Sequence, residues 1–221
     1  MALINFPDPE SASFDGIVAL GGSLSTTNLL RAYRRGIFPW PIDEYLLPWC
    51  CPEKRAILEF KDLYIPRRLA RVKRQMPFRF TIDQAFEEVI VACAKVKRKG
   101  ESGTWITTQM IRAYCELHNK GYAHSVEAWE GNTLVGGLYG VDAGGAFSGE
   151  SMFCYRSNAS KLALLYLIEH LQKRGLDWID IQMMTPHMEA LGAKSTDRSE
   201  FLRKLSLALK RKITLFAAPL T

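Results

Sequence analysis

The apolar positions fall into two textures along the chain. Up to about residue 60 they are aromatic and aliphatic residues broken by proline and glycine: Phe6-Pro-Asp-Pro, Gly21-Gly22, Gly36-Ile-Phe-Pro-Trp-Pro, Pro48-Trp49 and Pro52. Such a segment predicts loops around one helix, capped by Ser25, carrying Leu29, Leu30 and Tyr33, and stopping at Gly36. It is too small for a robust core of its own, so it is expected to pack onto the rest of the chain. Beyond residue 60, helical and strand periods alternate. A basic helix is expected from Arg67 to Gln75. A second helix is opened by Thr81 and carries Ala85, Phe86, Val89, Ile90 and Cys93, and a third runs from Thr107 to Lys120. Strand-like runs occupy 122–129, 133–141 and 145–153. Asn158 then caps a helix with Leu162, Leu165, Leu167 and Ile168, which leaves at Gly175. Trp178 to Met183 reads as a strand, and Asp197-x-x-Glu200 as the N-terminal box of a last helix with Phe201, Leu202, Leu205 and Leu209. The alternation predicts an α/β protein with a mixed sheet, divided into a small loop-rich unit, 1–61, and a larger unit, 62–221.

Composition adds little to this picture and charge adds more. The 221 residues are 48% hydrophobic and 24% charged, which suits a globular domain with a sizeable core. No apolar run approaches the roughly 18–20 residues of a membrane span. The opening MALINFPDPE has no basic patch followed by an apolar stretch, so no secretory leader is expected and the cytoplasm is the expected compartment. The net charge is +6, and residues 61–100 alone hold 11 Lys and Arg against 4 Asp and Glu. Basicity so localised suits an anionic partner. Five cysteines, two of them adjacent at Cys50 and Cys51, include no CxxC, and the four histidines have no paired ligand spacing. Reduced thiols and no metal site are expected.

Four groups of residues carry candidate chemistry. Glu150 lies between apolar strand residues after Gly149, placed either to hold a substrate ammonium or to face solvent at a strand end. Strand alternation puts Trp178, Asp180 and Gln182 on one face and Ile179 and Ile181 on the other. That polar patch would bind a substrate or satisfy a neighbouring loop. Arg67, Arg71 and Arg74 line one side of the basic helix with Arg68 nearby and Lys73 in the same run, suiting either phosphates or a solvated face. Phe38, Trp40, Trp49 and Trp105 lie near glycines and would serve as core, as an apolar pocket, or as stacking surfaces.

Taken in order, a set of motifs spans most of the chain. These are Gly21-Gly22-x-Leu24-Ser25, Leu30-x-x-Tyr33-x-x-Gly36-Ile-Phe-Pro-Trp40, Gly103-Thr-Trp-Ile106 and Gly136-Gly-x-Tyr-Gly140. Gly149-Glu-Ser-Met-Phe153 with Asn158-Ala-Ser-Lys161, Ile179-Asp-x-Gln182 and His187-x-x-x-Leu191-Gly-Ala193 complete the set. Together they resemble the leucyl/phenylalanyl-tRNA–protein transferases of bacteria. The resemblance implies a GNAT-type acyltransferase domain with the small N-terminal unit packed on it. It also implies transfer of Leu, Phe or Met from aminoacyl-tRNA to proteins that begin with Arg or Lys, tagging them for N-end-rule degradation. By the same resemblance Asp180 and Gln182 are catalytic, and Glu150 contacts the aminoacyl ammonium. Trp40, Trp105 and Met152 surround the side chain and terminal adenosine, with Leu138 and Leu167 as further pocket positions. Arg67, Arg68, Arg71, Lys73 and Arg74 would bind the tRNA acceptor stem. No cofactor is implied, and a monomer is expected. The chain departs from the family pattern at Ser23, where aspartate is usual, and in Trp49-Cys-Cys-Pro-Glu-Lys-Arg55. It also departs at Leu138 and Leu167, commonly Met and Phe, which bears on the choice among the three donors.

Three rivals share these features. An acyl-CoA N-acyltransferase would need a glycine-rich loop opening a helix, and the nearest segment, Gln172-Lys-Arg-Gly-Leu-Asp177, closes one instead. The motif set argues against a transferase acting on cell-wall peptide, and a non-catalytic tRNA-binding relative leaves the trio Asp180, Gln182 and Glu150 without a role.

Overall fold

The computed structural model describes residues 3–42, 46–96 and 104–216. The chain opens with β1 (Ile17–Leu20), α1 (Thr26–Tyr33), β2 (Phe38–Pro39) and β3 (Pro48–Cys50). Next come β4 (Lys54–Glu59), α2 (Arg67–Gln75), β5 (Arg79–Ile82), α3 (Phe86–Lys95) and α4 (Thr108–Asn119). A meander of β6 (Ala123–Glu130), β7 (Thr133–Asp142) and β8 (Phe147–Cys154) leads to α5 (Ala159–Lys173) and β9 (Trp178–Asp180). The described residues finish with α6 (Pro186–Glu189), β10 (Lys194–Asp197) and α7 (Arg198–Lys210).

The expected mixed α/β architecture is present as two sheets. A small one has the order β1-β3-β2, and a seven-stranded one has the order β10-β4-β9-β8-β7-β6-β5. Every pairing in the large sheet is antiparallel except β8 with β9, which run parallel and meet at one register pair, Ser148 with Asp180. A division at 61/62 does not describe this arrangement. β4 lies inside the large sheet between β10 and β9, so the chain changes sheets between Cys50 and Lys54. The cause is the buried run Arg55-Ala-Ile-Leu58, which finds its partners only in β9 and β10.

Helices cover both faces of the large sheet. On β7, consecutive glycines show the two sides: a Cβ at Gly136 would sit 2.5 Å from the Cβ of Ala159 on α5, and one at Gly137 3.4 Å from Val89 on α3. Glycine at 136 is what lets α5 lie this close to the strand. α3 and α4 share one core with α1 and the small sheet, while α5 packs with Trp178, Ile179 and Phe201 in the other.

Several expected boundaries shift for local reasons. Thr81 does not open a helix. Arg79–Ile82 pairs with β6 as an edge strand, and α3 begins at Phe86. Asp83 turns the chain between them with φ 60°, and its carboxylate accepts from Ser125 N at 2.8 Å. Ser25 caps α1 as expected, accepting from Asn28 N at 3.3 Å, a device worth about 1 kcal/mol. Asn158 holds the cap position of α5 in a left-handed conformation and makes no side-chain cap bond. Asp197 precedes α7 but turns its carboxylate to Lys54 instead of the helix, and Glu200 accepts from Thr196 Oγ1 at 2.8 Å. The strand expected over 178–183 stops at Asp180, with consequences for the site.

Candidate active site

Past their single shared pair, β8 and β9 separate, and a cavity of about 540 Å³ opens beside their carboxyl ends. Crevices of this kind are where open sheets commonly place ligands. One wall is aromatic: Trp40 stacks on Trp105 at 5.1 Å between centroids, and Phe38 meets Trp40 edge-on at 6.0 Å. The floor is aliphatic, built from Leu138, Met152, Leu164 and Leu167. Ile179, Ile181, Met183, Met184 and Met188 continue the apolar lining, and Glu150, Gln182, Thr185 and His187 supply polar groups. Thr185 accepts from Met188 N at 3.3 Å to start α6 at Pro186, which carries His187 and Met188 to the cavity. Burial, aided by the charge of Lys161, pushes the His187 imidazole below its usual pKa, toward the neutral form.

The turn after β9 decides how the polar groups face. Met183 N donates back to Ile181 O at 2.6 Å, closing a three-residue turn centred on Gln182 with φ 55°. A non-glycine residue here is strained by about 1–3 kcal/mol and needs outside support. Its backbone is tied on both sides: Gln182 N donates to Asp180 Oδ1 at 3.0 Å, and Gln182 O accepts from Ala56 N at 3.1 Å. The turn swings the Gln182 side chain to the cavity side, alongside Ile179 and Ile181. There its Nε2 donates to Glu150 Oε1 at 2.6 Å.

The expected sharing of one face by Asp180 and Gln182 is thereby corrected. Alternation holds through Asp180, which turns away from the cavity and is 2% exposed. Arg55 Nε and Nη2 donate to Asp180 Oδ1 and Oδ2 at 2.8 and 2.7 Å, and Ser148 Oγ to Oδ2 at 2.9 Å. With Gln182 N these donors fill the carboxylate's four acceptor positions. Asp180 therefore does not stand at the cavity mouth, and no position on it is left to take a substrate proton.

Glu150 is the carboxyl group that lines the cavity. Tyr114 donates to its Oε2 at 3.3 Å, and the Tyr114 and Tyr33 hydroxyls are hydrogen-bonded to each other. Burial and the charge of Asp180 push the Glu150 carboxyl up to about 7, against the pull of Tyr33, Arg55 and Tyr114. Burial and the nearby Glu150 charge hold both phenols well above 10, so they remain donors.

The sequence-predicted pocket residues Trp40, Trp105, Leu138, Met152, Leu167, Glu150 and Gln182 meet in this one cavity. The basic residues stand apart on α2. Arg67, Arg68, Arg71 and Arg74 are exposed, without an ion pair among the described residues, whereas Lys73 is paired with Glu169 on α5. α2 thus flanks the helix that lends Leu164 and Leu167 to the cavity. Lys97, Arg98 and Lys99 of the basic stretch, and Gly103 of its neighbouring motif, lie outside the described residues. Sequence reasoning missed Arg55, which breaks no periodicity, and Tyr114, whose partners come from three separate segments. It also passed over Met183, Met184 and Met188, whose clustering beside a polar strand was a usable signal.

Comparison with known proteins now decides the family. Residues 57–206 match the model of the leucyl/phenylalanyl-tRNA protein transferase family, and residues 22–53 match the N-terminal domain of that family. The chain belongs to the leucyl/phenylalanyl-tRNA protein transferase family. Curated relatives of that name include one from Anaeromyxobacter sp. (strain Fw109-5), 48% identical over 94% of this chain and 88% of the relative. One from Pseudoalteromonas atlantica is 48% identical over 94% and 89%, and one from Lawsonia intracellularis 46% identical over 92% and 90%. The two matched spans of this transferase family fall on either side of Arg55. The acyl-CoA rival loses its remaining support, because Gln172–Gly175 closes α5. Gly175 (φ 85°) there offers its carbonyl to Arg211 at 2.7 Å, not an amide to a pyrophosphate. No helix among the described residues is long and apolar enough to cross a membrane.

Proposed function

We propose that this protein transfers leucine, phenylalanine or methionine from aminoacyl-tRNA to the α-amino group of proteins that begin with arginine or lysine, marking them for degradation. The observation that carries this reading is the apolar cavity, whose polar edge is the Glu150–Gln182 pair. The aminoacyl side chain enters among Leu138, Met152 and Leu167, and Trp40 and Trp105 face the terminal adenosine. The anionic form of Glu150 holds an ammonium, and Gln182 orients the reactants. Asp180 acts through the Gln182 backbone. The exposed arginines of α2 receive the acceptor stem.

The ester is already activated, so the enzyme's work is orientation and stabilisation of developing charge. The neutral α-amine attacks the ester carbonyl carbon, the C–N bond forms, and the C–O3′ bond breaks. The amine's surplus proton goes to solvent or to the leaving oxygen. No metal and no covalent enzyme intermediate take part. The large unit is read as a GNAT-type domain, a reading supported by the parting of the parallel pair β8 and β9 beside the cavity. The protein works in the cytoplasm, where charged tRNA is found, as a monomer.

The test is transfer of labelled phenylalanine or leucine from charged tRNA to peptides differing only in the first residue. Arg- and Lys-starting peptides should be modified and an Ala-starting peptide should not. No transfer to any of them sinks the reading.

A further inference from the structure

We propose that Arg55 is a positioning residue for the transfer reaction, bracing the strained turn at Gln182 through Asp180 and the aromatic wall of the cavity through Phe38. The inference rests on the transferase reading above. Arg55 enters on β4, next in the sheet to β9, and is 1% exposed. The edge of its guanidinium holds both Asp180 oxygens, and Asp180 in turn accepts from Gln182 N. Its two faces are covered by the rings of Phe38 on β2 and Phe201 on α7, with Cζ 4.6 and 4.5 Å from the centroids. Phe38 lines the cavity and meets Trp40, which stacks on Trp105. One side chain therefore touches the supports of both walls, the polar one that ends in Gln182 and Glu150 and the aromatic one.

Stability alone does not account for this arrangement. A buried ion pair is a weak source of folding energy, and well-packed apolar replacements are often neutral or better. Here the pair also leaves Arg55 Nη1 buried without a hydrogen-bond partner among the described residues, a further cost. What the guanidinium does supply is geometry: a rigid planar fork fixes the carboxylate, and its flat faces fit between two rings. Gln182 needs such a fixed support because its left-handed turn persists only when its surroundings over-determine it. Lysine would keep the charge and lose the fork.

The experiment compares the wild-type protein with Arg55→Lys in transfer of phenylalanine to an Arg-starting peptide. It measures kcat and the KM for charged tRNA separately and follows folding by circular dichroism. The expected result is a folded variant with kcat lowered about 100-fold, the scale of a 1 Å misplacement, and KM within about twofold of wild type. A second variant, Arg55→Met with Asp180→Leu, removes both buried charges and so keeps the test open if the lysine variant does not fold. It too should be slow with KM unchanged. Either variant overturns the inference if it folds and retains wild-type kcat, or if only its KM moves. Failure of the wild-type protein to transfer at all would instead overturn the transferase reading, and this inference with it.

Discussion

The cluster beneath β9 and the polar wall of the cavity each hold one carboxylate, and Gln182 touches both. At Asp180 the charge is matched by a guanidinium and every acceptor position is filled. At Glu150 the direct partners are neutral: an amide from Gln182 and a hydroxyl from Tyr114. The first arrangement holds a carboxylate by both oxygens and hides it. The second leaves a carboxyl group whose charge is only partly compensated, facing a cavity, with its ionisation pushed up to about 7. On the proposed function, two acidic groups joined through one residue divide the work, one building the site and the other meeting the substrate.

The largest effect that would test this division is expected from Asp180→Ala. It strands the Arg55 charge in the core, which should cost about 3–5 kcal/mol of stability by denaturant titration. It also frees the Gln182 turn, and transfer should fall by about 100-fold or more. A variant as stable and as active as wild type would break the comparison at its root.

Glu150→Gln should cost less stability and still remove most transfer. Wild-type transfer should rise as Glu150 ionises through about 7, whereas the Gln variant should keep only the limb of the attacking amine, near its own pKa of roughly 8. The linkage sign is definite. A carboxyl whose folded pKa is raised favours the protonated folded state, so its contribution is present at low pH and lost as pH rises from 4.5 through about 7. The melting temperature of Glu150→Gln should therefore exceed that of wild type at pH 8 more than at pH 4. Identical pH profiles for the two proteins would show that Glu150 does not titrate in the site.

Away from the carboxylates the expected effects shrink. Replacing Arg67, Arg71 and Arg74 together by Gln should weaken tRNA binding and lower its logarithmic salt slope by about one for each phosphate no longer neutralised. Lys73→Gln should change that slope less than any single arginine replacement, because Lys73 is held by Glu169. Equal slopes in titrations of all these variants would place the tRNA elsewhere. Leu167→Ala should widen the cavity and shift the ratio of kcat/KM for phenylalanine over leucine donors, a discrimination worth about 1–3 kcal/mol at most.

Periodicity and capping residues were enough to place α1, α4, α5, α7 and the β6–β8 meander, because each carries its own apolar repeat, and the run of basic residues after Pro66 was enough to place α2. The ordered motifs were enough for the family, and they named most residues of the cavity wall. What the linear order did not carry was orientation. The Asp180–Gln182 spacing reads as one strand face, yet a left-handed turn at Gln182 sends the two side chains to opposite sides. That turn exists because β4, 125 residues from Asp180 along the chain, supplies Arg55 to hold the carboxylate beneath it. Local preference at Gln182 favours extended backbone. Only packing among β2, β4, β9 and α7 provides the bonds and ring contacts that offset the strain, so the division between a hidden carboxylate and one that lines the cavity was decided by the tertiary structure alone.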